Sequence, residues 1–264
     1  MSVFRIYLLA FFILFSWSAC QKPAPKIEHQ LQATDDSRIG QAIDAQFVAH
    51  WDSLPEVELL RPTDYPQAYN YLDSQLLFCL AQPQFEHAQT FNWQLRIFQA
   101  AEKEQLFVAP GGYLYFSTDF LRFLANEEEL KAVLAHAMLS IDQRIISQQL
   151  QEAFSISYLL DLALGAEPDA PAQLLALVET VGYKKEEMQQ LEPLFEALLC
   201  QIDSSPDSMR SFLQRVEGQN DFDWAWRFNS DFDWSAALAS NNNCPLSPTM
   251  LSSNNYLSFL DQLP

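Results

Sequence analysis

A chain of 264 residues that is 49% hydrophobic and holds only 6 glycines can bury one sizeable core, which excludes a wholly disordered or low-complexity polymer. Its 34 acidic residues against 15 basic ones give a formal net charge of −19. That balance excludes a nucleic-acid partner and argues against direct adsorption to anionic lipid.

The first twenty residues stand apart. One basic residue, Arg5, precedes the ten-residue apolar run IYLLAFFILF, followed by SWSA and Cys20. A run of ten is too short to span a bilayer and fits the apolar segment of a signal peptide. Ser18 and Ala19 before Cys20 resemble the cleavage site of bacterial lipoproteins. That resemblance implies a lipoprotein signal peptide over 1–19, a lipid on Cys20 and a lipid-anchored linker over 20–34 that includes QKPAPK. The expectation is a membrane-anchored, periplasm-facing protein of the cell envelope; ordinary secretion is the alternative, and both export the chain. Removing 1–19 takes away only Arg5, leaving 14 basic against 34 acidic residues and a net charge of −20. Of the later cysteines, Cys79 in LLFCLA reads as a buried thiol. Cys200 and Cys244 are the others, and the sequence does not fix a pairing.

Apolar positions Ile39, Ile43, Phe47 and Val48 predict a helix over 35–52, with Asp and Ser at its start as caps. A second helix is expected from Pro66 to Leu80. FNWQLRIFQ alternates Phe91, Trp93, Leu95 and Ile97 on one face, a strand pattern. Two further β-rich runs flank Pro110-Gly111-Gly112, where adjacent glycines point to positive φ or a close approach. A helix is expected to start near Thr118 or Asp119. Asn126 with Glu129 then gives a capping-box-like start to a helix running past Arg144 and on toward Leu164. A linker, AEPDAPAQ, leads to a short helix over 174–181. KKEEMQQLEPLFEALL predicts another helix with Pro193 able to kink it, and PDSMRSFLQRV a turn, a cap and a helix. DFDW occurs at 221–224 and 231–234. Trp224, Trp226 and Trp234 there read as packing of a C-terminal extension, 219–264, on a domain spanning 35–218, or as an aromatic partner contact. Helices, a small sheet, then mostly helices make an α+β pattern.

Taken together, PGGYLYFSTDFLRFLANEEELKAVLAHAMLSIDQR resembles the core of the HtpX-like and CAAX-prenyl-protease-like HExxH zinc metallopeptidases. Asn126, Glu127, Glu129, Leu130, Ala132 to His136 and Arg144 fall in register with that family's N-E-x-E-L and A-V-x-A-H-E-x-x-H segments. GYKKEEMQQLE resembles its later G-Y-S-x-x-x-E-x-E-A-D, and PDSMRSFLQRV the helix after it. The resemblance implies a mostly helical metallopeptidase-like domain whose small sheet borders the active-site helix.

The departures fall on the chemistry. His136 keeps the first ligand position, but Ala137 replaces the general base, Ser140 the second histidine and Met188 the glutamate ligand. Glu192 stands at the family's second-shell aspartate. A catalytic zinc needs about three protein ligands and an open position, and a hydroxyl and a thioether are poor substitutes. The expected catalytic set is therefore none, and the family cofactor, zinc, is expected to be lost. His136 reads instead as a histidine on a packed helix, its ring hydrogen-bonded to a neighbour, with Glu192 as a candidate. Arg144 reads as a helix-surface ion pair and Asp142 as a solvated or capping residue. The alternative is an active metalloendopeptidase with atypical ligands from Glu186, Glu187 or Glu192.

In the family, the strand after the PGG turn borders the cleft. Here that strand is Tyr113, Leu114, Tyr115, Phe116 and Ser117, read as an edge for an extended peptide or an envelope protein partner, since strand addition needs no metal.

Overall fold

The computed structural model describes residues 31–100, 106–164, 183–217 and 252–264. Leu31–Pro264 forms one compact unit. The elements run α1 (Ala33–Ser53), β1 (Val57–Leu60), α2 (Pro66–Leu80), β2 (Gln94–Ala100), β3 (Leu106–Ala109), β4 (Tyr113–Ser117), α3 (Thr118–Phe123) and α4 (Glu127–Asp142). They continue with α5 (Ile145–Ala153), α6 (Ile156–Ala163), α7 (Lys185–Gln201), α8 (Pro206–Glu217) and α9 (Ser252–Leu260). A four-stranded sheet amid helices is an α+β fold.

The folded unit begins before residue 35. Leu31 is buried, and Asp35 closes the first turn of α1 from inside by accepting the Gln32 N–H at 2.9 Å. The short helix expected over 174–181 and both DFDW segments lie outside the described residues.

The strands lie in the order β1-β2-β4-β3. β2 and β4 are parallel, with Gln94 opposite Tyr113 and Phe98 opposite Ser117; β1 and β3 flank them antiparallel. One face is covered by α1. Phe47 lies 5.1 Å from Phe107 and 4.9 Å from Tyr115, ring centre to ring centre, and Trp51 stacks on Phe98 at 4.6 Å. Leu95, Ile97, Leu114 and Phe116, which alternate with those rings, are buried as well, so the sheet is sandwiched. α2 and α4 pack against it too.

Charge is handled inside this sandwich by pairing. Arg96 grips both oxygens of the mostly buried Asp44, at 3.0 and 2.7 Å, and Tyr115 donates to the same carboxylate at 3.2 Å. The carboxylate holds the Arg96 guanidinium above its ordinary range, and burial with the adjacent negative charge keeps the Tyr115 phenol protonated. A buried carboxylate held this way is satisfied rather than strained.

The adjacent glycines do what the sequence implied. Gly111 has φ 73° and Gly112 φ 105°, so the hairpin joining β3 to β4 uses backbone that side chains rarely adopt. α1 crosses this turn so closely that a Cβ on Gly40 would stand 1.9 Å from the Pro110 carbonyl oxygen. Gly40→Ala is therefore expected to push α1 off the turn and cost at least about 2 kcal/mol, read by chemical denaturation.

The long helical stretch expected from 126 past 144 is broken into three. Asn126 does cap α4, accepting the Glu129 N–H at 2.9 Å, but Arg144 adopts a left-handed conformation (φ 59°) that ends the helical run before α5 begins. α7 runs on through Pro193 without interruption.

Candidate functional site

α4 is buried along nearly its whole length, including its polar residues Glu129, His136, Ser140 and Asp142. A helix hydrophobic on one stripe would show one dry face; this one is covered all round, with α2, α5, α7, α8, α9 and β3 against it. His136 is at its centre.

The imidazole of His136 is fully buried. It is framed by two aromatic rings held edge-on, Tyr183 at 5.3 Å and 85°, and Phe195 at 5.4 Å and 86°. Burial drives its pKa down to about 3, so the ring is neutral at physiological pH. One turn along, Ser140 turns its hydroxyl back to donate to the Ala137 carbonyl at 2.8 Å. Met188 is wholly buried on α7, and so is Phe195 two turns later on the same face. Ser140 also lies beside the Tyr183 phenol, which burial keeps protonated.

Of the four positions that the family resemblance singled out, His136 meets Phe195 across the seam between α4 and α7, and Ala137, Ser140 and Met188 are wholly buried on those same two helices. The seam is a packed contact. A zinc ion needs lone pairs from about three ligands in a tetrahedron; here one imidazole is accompanied by a methyl group, a hydroxyl bonded to its own helix and a thioether. The residues present do not fit the metal. Among the described residues, no group of three or more histidine, cysteine or acidic side chains is placed to hold a metal ion.

The carboxylates that were candidate substitutes are used elsewhere or face away. Glu187 accepts the Lys184 N–H and the Gln149 amide, both at 2.7 Å, and so fixes the start of α7. Glu186 is exposed. Glu192 is half-buried, and burial with the neighbouring Glu196 raises its pKa. Among the described residues no hydrogen bond joins His136 to Glu192, which corrects the expected pair: Glu192 lies one turn after Met188 on α7.

Arg144 is a second correction. Instead of a surface pair it makes an internal one, its Nε 2.6 Å from Asp36, which is fully buried, and its Nη2 2.5 Å from the Leu31 carbonyl. Asp142 is a cap, though not for its own helix: its two oxygens accept the N–H groups of Glu86 and His87 at 3.0 and 2.8 Å, tying the loop after α2 to the end of α4. Burial raises the Asp142 pKa while those two N–H groups oppose the rise.

The third correction concerns the proposed peptide edge. Residues Tyr113 to Ser117 form β4, which has β2 on one side and β3 on the other, and all five are buried. No extended segment can pair there, because both rows of backbone groups are already used. The sequence missed this because a fully buried central strand and a half-buried edge strand of five residues both read as short apolar runs. It also missed Phe195, whose only signal is that it falls on the stripe of Met188, Leu191 and Leu198.

At the carboxyl end, Tyr256 of α9 donates its hydroxyl to the Leu121 carbonyl and Phe259 stacks on Tyr71 at 4.6 Å. Cys79 is free and buried, its thiol pushed up to about 12 by burial, and Cys200 is disulfide-bonded. No helix of the described residues is long and apolar enough to cross a membrane. Compared with known proteins, the chain matches no family model and no curated protein sequence at a significant level.

Proposed function

We propose that this chain is a non-catalytic relative of the HtpX-like zinc metallopeptidases, held at the cell envelope as a lipoprotein through Cys20, and that it works by binding proteins rather than cutting them. The observation that carries this reading is the seam around His136. A hydrolase of that family needs a metal, a water and a base at one open point; here the equivalent positions are a neutral imidazole, a methyl, a hydroxyl turned to its own helix and a thioether, all without exposed surface. Loss of the base alone removes an assistance typically worth about 10²–10⁴-fold, and loss of the metal adds to it. The disulfide at Cys200 supports an oxidising compartment, and with it export.

The test is metal content and proteolysis of the purified protein beside the triple substitution Ala137→Glu, Ser140→His, Met188→Glu. The native protein is expected to carry no stoichiometric zinc and to leave casein intact. The triple variant, with two carboxylates forced into a dry seam, is expected to be destabilised without metal and to regain thermal stability when zinc is added. Stoichiometric zinc in the native chain with chelator-sensitive cleavage would establish the atypical-ligand peptidase instead. A triple variant indifferent to zinc would remove the family reading.

A further inference from the structure

With β4 closed on both sides, strand addition has two remaining edges among the described strands, β1 and β3. All four residues of β3 are buried. β1 is different: Glu58 is exposed and Val57 and Leu59 are half-buried.

The direction of the β1 backbone follows from its neighbours. Gln94 donates its N–H to the Gly112 carbonyl, so even-numbered residues of β2 face β4 and odd-numbered ones face β1. Ile97, an odd one, donates to the Tyr69 hydroxyl, which in turn donates to the Leu60 carbonyl. Leu60 and, by alternation, Glu58 therefore point their backbone groups inward, toward Ile97 and Gln99, their partners in the register. Val57 and Leu59 point outward. The Val57 N–H is taken by the Leu54 carbonyl at 3.3 Å, and the Leu59 N–H and the Leu59 and Val57 carbonyls lie along the outer side of the strand, unpaired among the described residues.

The side chains beside this edge select for charge. Glu56 and Glu58 are exposed, and neither is in an ion pair among the described residues, whereas nearby Asp52 is already held by Arg61 at 3.0 Å. A second copy of the chain would bring Glu58 toward another Glu58 on a molecule of net charge −19, an unfavourable approach.

We propose that the outer edge of β1 receives an extended, cationic segment of another protein, paired through the backbone of Leu59 and Val57 and matched in charge by Glu56 and Glu58. This rests on the reading of the chain as a binding module and gives that module its place and the character of its partner. Short, charged edge strands commonly serve to discourage pairing; here the charge excludes a like-charged copy while leaving a basic strand welcome.

The probe is a fluorescent peptide of alternating lysine and valine, titrated into the full-length protein in detergent, beside a glutamate–valine peptide and a lysine–proline peptide that cannot form a ladder. The lysine–valine peptide is expected to bind, with affinity falling as salt rises, and to slow hydrogen exchange at the Leu59 amide. Glu56→Lys with Glu58→Lys is expected to weaken it at least about tenfold. Leu59→Pro removes the outward N–H and is expected to abolish binding; circular dichroism confirms that each variant is folded. Equal binding of the proline peptide, no binding of any peptide, or a chain that self-associates through β1 and loses this with Leu59→Pro would each overturn the proposal. Envelope proteins captured equally by the native chain and by both variants would overturn it while leaving the binding-module reading in place.

Discussion

On acidification from pH 7 toward pH 3.5, the folded domain is expected to lose about 4 kcal/mol of stability through His136 alone. The native ring resists protonation down to about 3, whereas an exposed histidine in the unfolded chain titrates near 6.5. Between those values the unfolded state binds the extra proton. Stability is therefore complete above about pH 6.5 and falls with a slope of about 1.4 kcal/mol per pH unit until the folded pKa is reached. The direction is that of a buried neutral base, opposite to a histidine stabilised by a carboxylate. Denaturant melts of the native protein and of His136→Leu at several pH values measure it. The leucine variant should be within about 1 kcal/mol of the native chain at pH 7 and should lose one proton's worth of the acid slope. If both proteins showed the same slope, the ring would be protonated in the folded state, and the packed seam that carries the functional reading would be wrong.

Arg144→Met is expected to cost about 3–5 kcal/mol at neutral pH. The reason is what it leaves behind. Asp36 has no exposed surface, and among the described residues Arg144 is the cation paired with it, so truncation strands a carboxylate in the interior. The Leu31 carbonyl loses its donor in the same step. Arg144→Met combined with Asp36→Leu should recover much of the loss, because two apolar groups of similar size restore packing without a buried charge. Thermal melts of the two singles and the double complete the cycle. Additive losses would mean that the two side chains do not meet.

Much of the architecture was legible in the sequence because the local signals were strong. The apolar spacing of Ile39, Ile43 and Phe47 placed α1, and Asn126 with Glu129 placed the start of α4 to the residue. Gly111 and Gly112 announced their turn because few other residues tolerate that backbone. What the sequence concealed was decided at long range. The break at Arg144 is invisible locally, since arginine has no preference for the left-handed region; it is stabilised by Asp36 and Leu31, more than a hundred residues upstream in the chain. β4 was misjudged as an edge because strand order is set by pairing, and a five-residue apolar run carries no record of how many neighbours it has. The candidate seam was half legible. The family resemblance grouped His136, Ala137, Ser140 and Met188, yet the aromatic frame of Tyr183 and Phe195 around His136 depends on how α7 docks.

The grip of Arg144 on the Leu31 carbonyl also has a mechanical meaning. Leu31 lies just before α1, so strain on its carbonyl meets the guanidinium before it can unwind the helix. Arg144 stands at the junction of α4 and α5, so load on Leu31 passes sideways into that junction. The first turn of α1 is thus fastened to the middle of the chain, and its fraying would have to break that bond first.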